Sequence, residues 1–469
     1  MQTTDRKKTE KRQTFALFFG NRFVFSPAFI GDARREMVEA VEAAGYGCLI
    51  ADEAMTPFGA VETIDQARVY ARWLEERRGQ FDGVILCMPN FSDENGAAEA
   101  LRDAGVPILI QAYPDELDKM DTAHRRDSFC GKFSIQDVFN QYRIPFTVFP
   151  PHCVHPLSPA FRQNLDDFAA VCRVVAGMKK FAIGAFGART TRFKTIRYDE
   201  IALQNKGITV ETFDLAEVFS RMDALDDGDP AVREKATALA AYADCSAVSG
   251  DKLTVLAKLA VVIDGYIETY DLDAIAFRCW PELGDRYGIS VCPIVSMLNE
   301  RGIAASCEVD VCTAVAMRAL TLASGVPATC LDWNNNYGDE PDKCILFHCG
   351  PVPKSLMKAG GRIVPNQLNN ETIGCYVGDI GAFEMTYCCC KSEHGKLSFC
   401  LGEGEMTDDP VAPDFFGAKG VAHIPDLPRK LIAMGRGGFR HHVAVGKGRT
   451  ERILREAFTY YLGYDIAEI

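Results

Sequence analysis

The chain has 469 residues, of which 48% are apolar and 25% are charged, and its net charge is −13. This length predicts two or three packed domains, and no apolar run is long enough to cross a bilayer, which excludes a membrane-spanning protein. The negative charge repels phosphates and argues against nucleic acid as a partner.

The first thirteen residues are charged and contain no apolar segment. They predict a frayed tail rather than a secretory signal, and hence a cytoplasmic protein. The 18 cysteines include no Cys-x-x-Cys pair, and many lie in apolar runs, which favours free thiols in a reducing compartment. Three are consecutive, at residues 388–390, and could bind a soft metal. Side chains alternate along a strand, so the three cannot converge on one ion, and packing within a strand is the better interpretation.

Between residues 14 and 150, short β-rich runs alternate with amphipathic segments. This rhythm predicts a parallel sheet covered by helices, in a first domain over residues 1–177. After a helical stretch over 158–178, the rhythm restarts and continues through helices over 214–242 and 251–270. It predicts a second α/β domain over residues 178–338.

From about residue 340, short β-rich runs are separated by Gly, Pro and Asn, and two helical patterns interrupt or close them. This spacing is typical of an antiparallel barrel or sandwich, and it predicts a third domain over residues 339–469. The predicted fold class is therefore α/β, with two Rossmann-like parallel-sheet domains followed by a β-barrel-like C-terminal domain.

In open α/β domains, ligands bind beyond the carboxyl ends of the strands, so the loops that follow the predicted strands are the expected location of a site. The first such loop, over residues 279–288, carries Trp280 and Glu282. An indole face beside a carboxylate suits a sugar, whose C–H face stacks while its hydroxyls form hydrogen bonds. A packed tryptophan with a solvated glutamate explains the same residues equally well.

Two further loops each offer a carboxylate. Glu308 precedes an apolar helical pattern that Asp310 is the better residue to cap, which leaves Glu308 without a local structural role. Asp332 ends an apolar strand and enters a turn that contains Asn334. Taken singly, Glu308 is more often a solvated carboxylate, and the Asn-rich turn is equally compatible with ordinary loop chemistry.

Three of the eight histidines lie in β-rich runs close to these loops: His348, His441 and His442. Adjacent residues on a strand face opposite ways, so at most one of His441 and His442 is expected to reach a given ion. We expect His442 to be the metal ligand, with His441 as the alternative. Two carboxylates with one or two histidines, and no cysteine, predict a site for Mn²⁺, Co²⁺ or Mg²⁺ rather than zinc.

These segments resemble the family of L-fucose and L-arabinose isomerases. The resemblance is carried by RCWPELGDRYG, CEVDVCTAVAMRALTLASGVPATCLDWNNNYG, LGEGEMTDDP and GGFRHHVAVG, in this order over residues 273–446. It implies homo-oligomers with active sites at subunit boundaries and a divalent cation, usually Mn²⁺, held by Glu308, Asp332 and His442. His348 resembles an additional histidine ligand of the L-arabinose isomerases.

The resemblance also implies an activity, aldose–ketose isomerisation through an ene-diol, in which Glu308 and Asp332 carry the proton and no nicotinamide or flavin takes part. Trp280, Glu282, Asn334 and His441 are then expected to contact the sugar.

The segment GAFGARTTRFKTIRYDE also resembles the family and places Arg189 and Arg197 near the cleft. With Arg278, they could pair with the acidic group of an anionic hexose such as a sulfonated sugar. L-fucose, D-arabinose and L-arabinose are the neutral candidates. Two other classes compete: a metal-dependent aldolase or dehydratase acting on sugar acids, and a non-catalytic sugar-binding protein.

Overall fold

A computed structural model describes residues 12–368 and 372–469 and divides the chain into two units, Met1–Ala176 and Gly177–Ile469. Residues 1–11 of the predicted tail lie outside the described residues. Within the described ranges, no helix is both long enough and apolar enough to span a membrane.

The first unit contains a four-stranded parallel sheet with the strand order β2-β1-β3-β4. Its strands are β1 (Thr14–Phe19), β2 (Gly47–Ile50), β3 (Gly83–Met88) and β4 (Ile108–Ala112). The helices that follow them are α1 (Ala28–Ala43), α2 (Ile64–Glu75), α3 (Glu94–Leu101), α4 (Ser128–Tyr142) and α5 (Pro159–Lys179). Every residue of the central strand β3 is buried, as a parallel sheet covered by helices requires.

The second unit begins with another four-stranded parallel sheet, ordered β6-β5-β7-β8. Its strands are β5 (Phe181–Phe186), β6 (Ile208–Phe213), β7 (Ala274–Phe277) and β8 (Ala304–Cys307). Its helices are α6 (Glu200–Gln204), α7 (Leu215–Ala224), α8 (Pro230–Tyr242), α9 (Gly250–Tyr270), α10 (Glu282–Tyr287), α11 (Cys292–Glu300) and α12 (Val311–Ser324).

A barrel completes the second unit. Six antiparallel strands in the order β15-β10-β9-β16-β13-β14 close on themselves because β14 pairs with β15, and β11, β12 and β17 extend the same sheet. The strands are β9 (Ala328–Tyr337), β10 (Glu340–His348), β11 (Arg362–Pro365), β12 (Ile373–Asp379), β13 (Phe383–Glu393), β14 (Lys396–Met406), β15 (Ala418–His423), β16 (His442–Lys447) and β17 (Asp465–Ala467).

Two helices, α13 (Leu427–Arg436) and α14 (Glu451–Glu456), accompany the barrel, and a π-helical turn over Ala457–Leu462 continues α14. Four short 3-10 turns lie at Glu53–Met55, Pro57–Gly59, Lys194–Ile196 and Lys354–Leu356. The predicted fold class, two parallel-sheet domains and a C-terminal barrel, is confirmed. The boundaries after residues 177 and 338 stay predictions.

Helix α12 joins the second sheet to the barrel. It packs against β7 and β8 on one side and against β9, β13 and β16 on the other. Ten of its fourteen residues are buried, which explains why its sequence is apolar on every face. The residues that precede α12 therefore lie where the sheet meets the barrel.

One sequence-based expectation about the barrel is wrong. Asp332 was expected to end a strand, but β9 continues past it to Tyr337 and forms a hairpin with β10. Burial ends at Leu331, and the polar residues that follow form the exposed end of that hairpin, which has the composition of a turn but the backbone of a strand.

Candidate functional site

Glu308 lies at the junction between β8 and α12. The strand ends at Cys307, and the next two residues have left-handed backbone angles, with φ of 62° at Glu308 and 63° at Val309. Such angles are uncommon outside glycine and exceptional for a β-branched residue. They turn the chain so that Asp310 caps α12, as expected, while the Glu308 side chain stays at the carboxyl end of the strand.

Asp332 and His442 approach Glu308 from the barrel. The two residues lie directly opposite each other on the antiparallel strands β9 and β16, a position in which side chains point to the same face. His442 Nε2 lies 2.9 Å from Glu308 Oε2 and 3.4 Å from Asp332 Oδ1. The structure therefore brings together the three residues for which a ligand role is expected.

The arrangement of these three residues fits a divalent cation. Asp332 Oδ1 is buried and has no hydrogen-bond partner, and the buried His442 Nε2 lies between it and Glu308 Oε2, at 3.4 Å and 2.9 Å. Two ligand atoms about 2.2 Å from one ion at a right angle are about 3 Å apart, close to the observed separations. Carboxylate oxygens with one imidazole suit a hard or borderline cation. The described residues thus contain a metal-compatible site.

The opposite nitrogen of His442 is held by a buried carboxylate. Nδ1 donates to Asp310 Oδ2 at 2.8 Å, and Arg440 donates to Asp310 Oδ1 at 2.6 Å. The Asp310 side chain is fully buried and that of Arg440 nearly so. Because Nδ1 carries the proton, Nε2 is the nitrogen that can present a lone pair, an arrangement common at metal-bound histidines.

Charges within the group shift the pKa values strongly. Burial alone would lower the pKa of His442, but the carboxylates of Asp310 and Glu308 outweigh it and raise the pKa to about 10. Burial would raise the pKa of Glu308, yet the hydrogen bond and charge of His442, together with the Trp280 N–H, lower it to about 2. Burial also opposes ionisation of Asp310, whose pKa Arg440 and His442 hold below its usual range. The carboxylates are therefore ionised at neutral pH.

His441 also reaches the group, which the alternation of strand residues was expected to prevent. Its Nε2 lies 3.7 Å from Asp332 Oδ1, so both adjacent histidines approach the same carboxylate. The reason is that β16 begins at His442, so His441 precedes the strand and does not follow its alternation. The His441 side chain is 39% exposed, which leaves it accessible to a substrate.

His348, at the end of β10, is buried beside His442, with ring centroids 5.6 Å apart. Its Nδ1 accepts the backbone N–H of Cys349 at 2.9 Å, and its Nε2 has no partner. A ligand atom of His348 also lies close to those of Cys330 and His442.

Two aromatic side chains stand beside the carboxylates. Trp280, which follows β7, donates from Nε1 to Glu308 Oε1 at 3.0 Å. Phe193 lies on the loop after β5, with its ring 6.2 Å from that of Trp280 and 5.4 Å from that of His441. Trp280 and Phe193 therefore lie beside the expected ligands, and the expected contact of Trp280 with the sugar stays a prediction.

Arg278 and Glu282 pair with each other at the carboxyl ends of the second sheet. Arg278 Nε donates to Glu282 Oε2 at 2.7 Å, and a second bond joins the other guanidinium and carboxylate atoms. Both line a cavity of about 570 Å³ that Gly187, Asp214 and Arg286 also border. Their charges are thus engaged within the protein, and their expected contact with the sugar stays a prediction.

The other residues expected to contact the sugar are Arg189, Arg197 and Asn334. The Arg189 guanidinium donates to the carbonyls of Thr190, Thr191 and Phe193 in its own loop. Arg197 is exposed, and its carbonyl accepts from Arg440 at 3.0 Å. Asn334 is exposed two residues beyond Asp332 on β9, where its amide bonds to Asn335.

Two residues of the site were not expected from the sequence. The sequence predicts only the helix cap for Asp310, which it does form, and predicts no role for Arg440, which binds Asp310. Arg440 lies two residues before His442, but nothing in the sequence indicates that both contact Asp310, which precedes Arg440 by 130 residues. The contact depends on how α12 packs against β16.

Comparison with known proteins gives matches at both ends of the chain. The model of the fucose/sulfoquinovose isomerase N-terminal domain matches residues 16–179, and that of the L-fucose isomerase C-terminal domain matches residues 346–469. Sulfoquinovose isomerase of Priestia aryabhattai is 26% identical over 362 residues, 76% of this chain and 72% of the relative. That of Alkalicoccus urumqiensis is 26% identical over 62% of this chain and 65% of the relative. That of Clostridium sp. (strain MSTE9) is 30% identical over 34% and 36%, respectively.

Proposed function

Because the chain belongs to the family of L-fucose and sulfoquinovose isomerases and is itself an isomerase, we propose that it interconverts an aldose and a ketose at a divalent metal held by Glu308, Asp332 and His442. The observation that carries this proposal is the convergence of Asp332 Oδ1, which is buried and has no hydrogen-bond partner, and the buried His442 Nε2 beside the ionised Glu308.

Glu308 and Asp332 are proposed as the acid and base of the reaction. One carboxylate removes the proton from C2 of the aldose, and the C1 oxygen takes up the O2 proton through the other carboxylate, which passes through the ene-diol. The first carboxylate then returns its proton to C1, which gives the ketose with the carbonyl at C2. A bound Mn²⁺, with Co²⁺ or Mg²⁺ as alternatives, would polarise the two sugar oxygens as a Lewis acid. Trp280 fixes Glu308 through the bond to Oε1.

A direct experiment follows the substrate hydrogens. Protein loaded with Mn²⁺ and incubated with sulfoquinovose in deuterated water should form a ketose of unchanged carbon number, with one carbon-bound hydrogen exchanged, as observed by NMR. Glu308→Gln, saturated with metal, should abolish the exchange. Cleavage or dehydration products, or full activity after exhaustive chelation, would contradict the proposal.

A sulfonated hexose is our proposed substrate because the loop after β5 is basic. Residues 188–197 contain Arg189, Arg192, Lys194 and Arg197 and no acidic residue. Among the described residues, none of the four forms an ion pair, and Phe193 holds their loop against His441. Guanidinium groups bind sulfonate-like anions through paired hydrogen bonds. The four curated relatives are all named sulfoquinovose isomerase, which supports the same substrate.

The double variant Arg192→Gln/Arg197→Gln tests this substrate. It should lower kcat/KM for sulfoquinovose by roughly 10- to 100-fold, as expected when charge-assisted bonds are lost, and leave a neutral 6-deoxyhexose nearly unaffected. Arg436→Gln, an exposed arginine on α13, is the matched control. Equal losses for both sugars would count against sulfonate binding by this loop.

We also propose that the protein forms homo-oligomers through the carboxyl edge of the first sheet. Phe23, Phe58, Leu117, Phe129 and Phe133 follow β1, β2 and β4, and each is more than half exposed. Exposed apolar side chains that follow the strands of one sheet are a candidate interaction surface, and the family resemblance favours a second copy of this chain.

Molecular mass in solution tests the oligomer. Phe129→Ser/Phe133→Ser should reduce the mass measured by light scattering, and with it the activity, whereas Ile201→Ser on α6, another exposed apolar residue, should change neither. An active wild-type monomer would contradict this proposal. A cytoplasmic location stays a prediction.

A further inference from the structure

His348 differs from the other histidines of the site in how its ring is held. It is 4% exposed, and its Nδ1 accepts the backbone N–H of Cys349 at 2.9 Å. The nitrogen that accepts this bond carries no proton. A neutral imidazole has a single ring proton, which must then lie on Nε2.

This tautomer is opposite to that of His442. His442 Nδ1 donates to Asp310, so that Nε2 can lose its proton and present a lone pair. In His348, the Nδ1 lone pair is used by the amide of the next residue, and Nε2 points a proton into the buried group. A protonated nitrogen cannot coordinate a cation, and the amide N–H of Cys349 excludes a proton on Nδ1.

The Nε2–H of His348 is also without an acceptor. Among the described residues, no atom accepts a hydrogen bond from it, although it is buried. Buried N–H groups are nearly always paired, so an unpaired donor in a ligand-binding site marks the place of a ligand acceptor. The hydroxyl and carbonyl oxygens of a sugar are such acceptors.

We propose that His348 is a hydrogen-bond donor to a sugar oxygen at this site and is not a metal ligand. The inference rests on the proposed function, since it takes the substrate to be a sugar bound beside Glu308. It departs from the expectation that His348 is an additional ligand. In this role, the Nε2–H of His348 stabilises the negative charge that develops on the sugar oxygen during proton transfer at the neighbouring carbon.

Electron spin echo spectroscopy of bound Mn²⁺ distinguishes the two roles because it counts the coordinated imidazole nitrogens. Wild-type protein labelled with ¹⁵N-histidine should show one imidazole at the metal. His348→Leu should keep that signal and a Mn²⁺ dissociation constant within about threefold of wild type, while kcat for the sugar falls roughly 100-fold. His348→Gln, which keeps an N–H donor, should recover part of the loss.

His442→Asn is the matched control and should remove the imidazole signal. Two imidazoles in the wild type, or Mn²⁺ affinity weakened 100-fold or more in His348→Leu, would overturn the inference and leave the proposed function standing. Unchanged kcat and KM in His348→Leu would also overturn it. If His348→Leu does not fold, the number of imidazole nitrogens coordinated to Mn²⁺ in the wild type decides between the two roles of His348. Failure of the wild type to bind Mn²⁺ at all would overturn the proposed function together with the inference.

Discussion

Asp310→Asn removes a charge at a fully buried position where both side-chain oxygens accept bonds from basic partners. Asparagine has one acceptor oxygen, so its NH₂ group must face either His442 Nδ1–H or Arg440. With the amide oxygen at the Oδ1 position, where it accepts from both Thr313 N and Arg440, the helix cap survives and the NH₂ group faces His442 Nδ1–H. The substitution thus perturbs the hold on His442 without removing the start of α12.

The size of the effect follows from these contacts. Loss of the carboxylate partner of a metal-binding histidine weakens metal affinity about 10- to 100-fold, equivalent to about 1.4–2.8 kcal/mol. In addition, the Arg440 side chain is only 6% exposed and would lose its only described carboxylate partner. Removal of one member of a buried ion pair destabilises a protein by about 3–5 kcal/mol.

Two measurements test this prediction: Mn²⁺ affinity by calorimetric titration and the free energy of unfolding by denaturant titration of the metal-free protein. Asp229→Asn is the matched control, because Asp229 caps α8 through Ala231 N and lies outside the site. It should change neither quantity appreciably. Mn²⁺ affinity of Asp310→Asn within threefold of wild type would refute the role assigned to Asp310.

Three further outcomes are expected. The pKa of metal-free His442 is raised to about 10, so its stabilising contribution is fully present below its unfolded pKa of about 6.5 and is lost as pH rises through 10. Denaturation of the metal-free protein at a series of pH values should therefore show a decreasing free energy of unfolding over that range. Mn²⁺ binding at pH 7–9 should release close to one proton and tighten with pH, measured by calorimetry in buffers of different ionisation enthalpy. Free Mn²⁺ at 100 times its dissociation constant should raise the free energy of unfolding by about 2.7 kcal/mol, and chelation should remove this gain. Asp332→Asn should abolish the gain; an equal gain in that variant would contradict the ligand role of Asp332.

The sequence by itself determined the fold class and the chemical nature of the site. The alternation of short apolar runs with amphipathic segments identifies parallel sheets because each strand must bury both faces under helices. Helix α12, apolar on every face, indicates burial on all sides. Glu308 stood out because Asp310 is the better helix cap, and Asp332 because it follows an apolar run; the family resemblance implied that both are metal ligands.

Tertiary structure alone decided how the ligand set is completed. Asp332 faces His442 because β9 and β16 pair in one register, and no local pattern records a register between strands that are a hundred residues apart. The approach of His441 depends on where β16 begins, and the bond from His442 to Asp310 depends on how α12 packs on the barrel. Hydrogen bonds between distant residues fix tautomers and charges, so these properties appear only once the chain is folded.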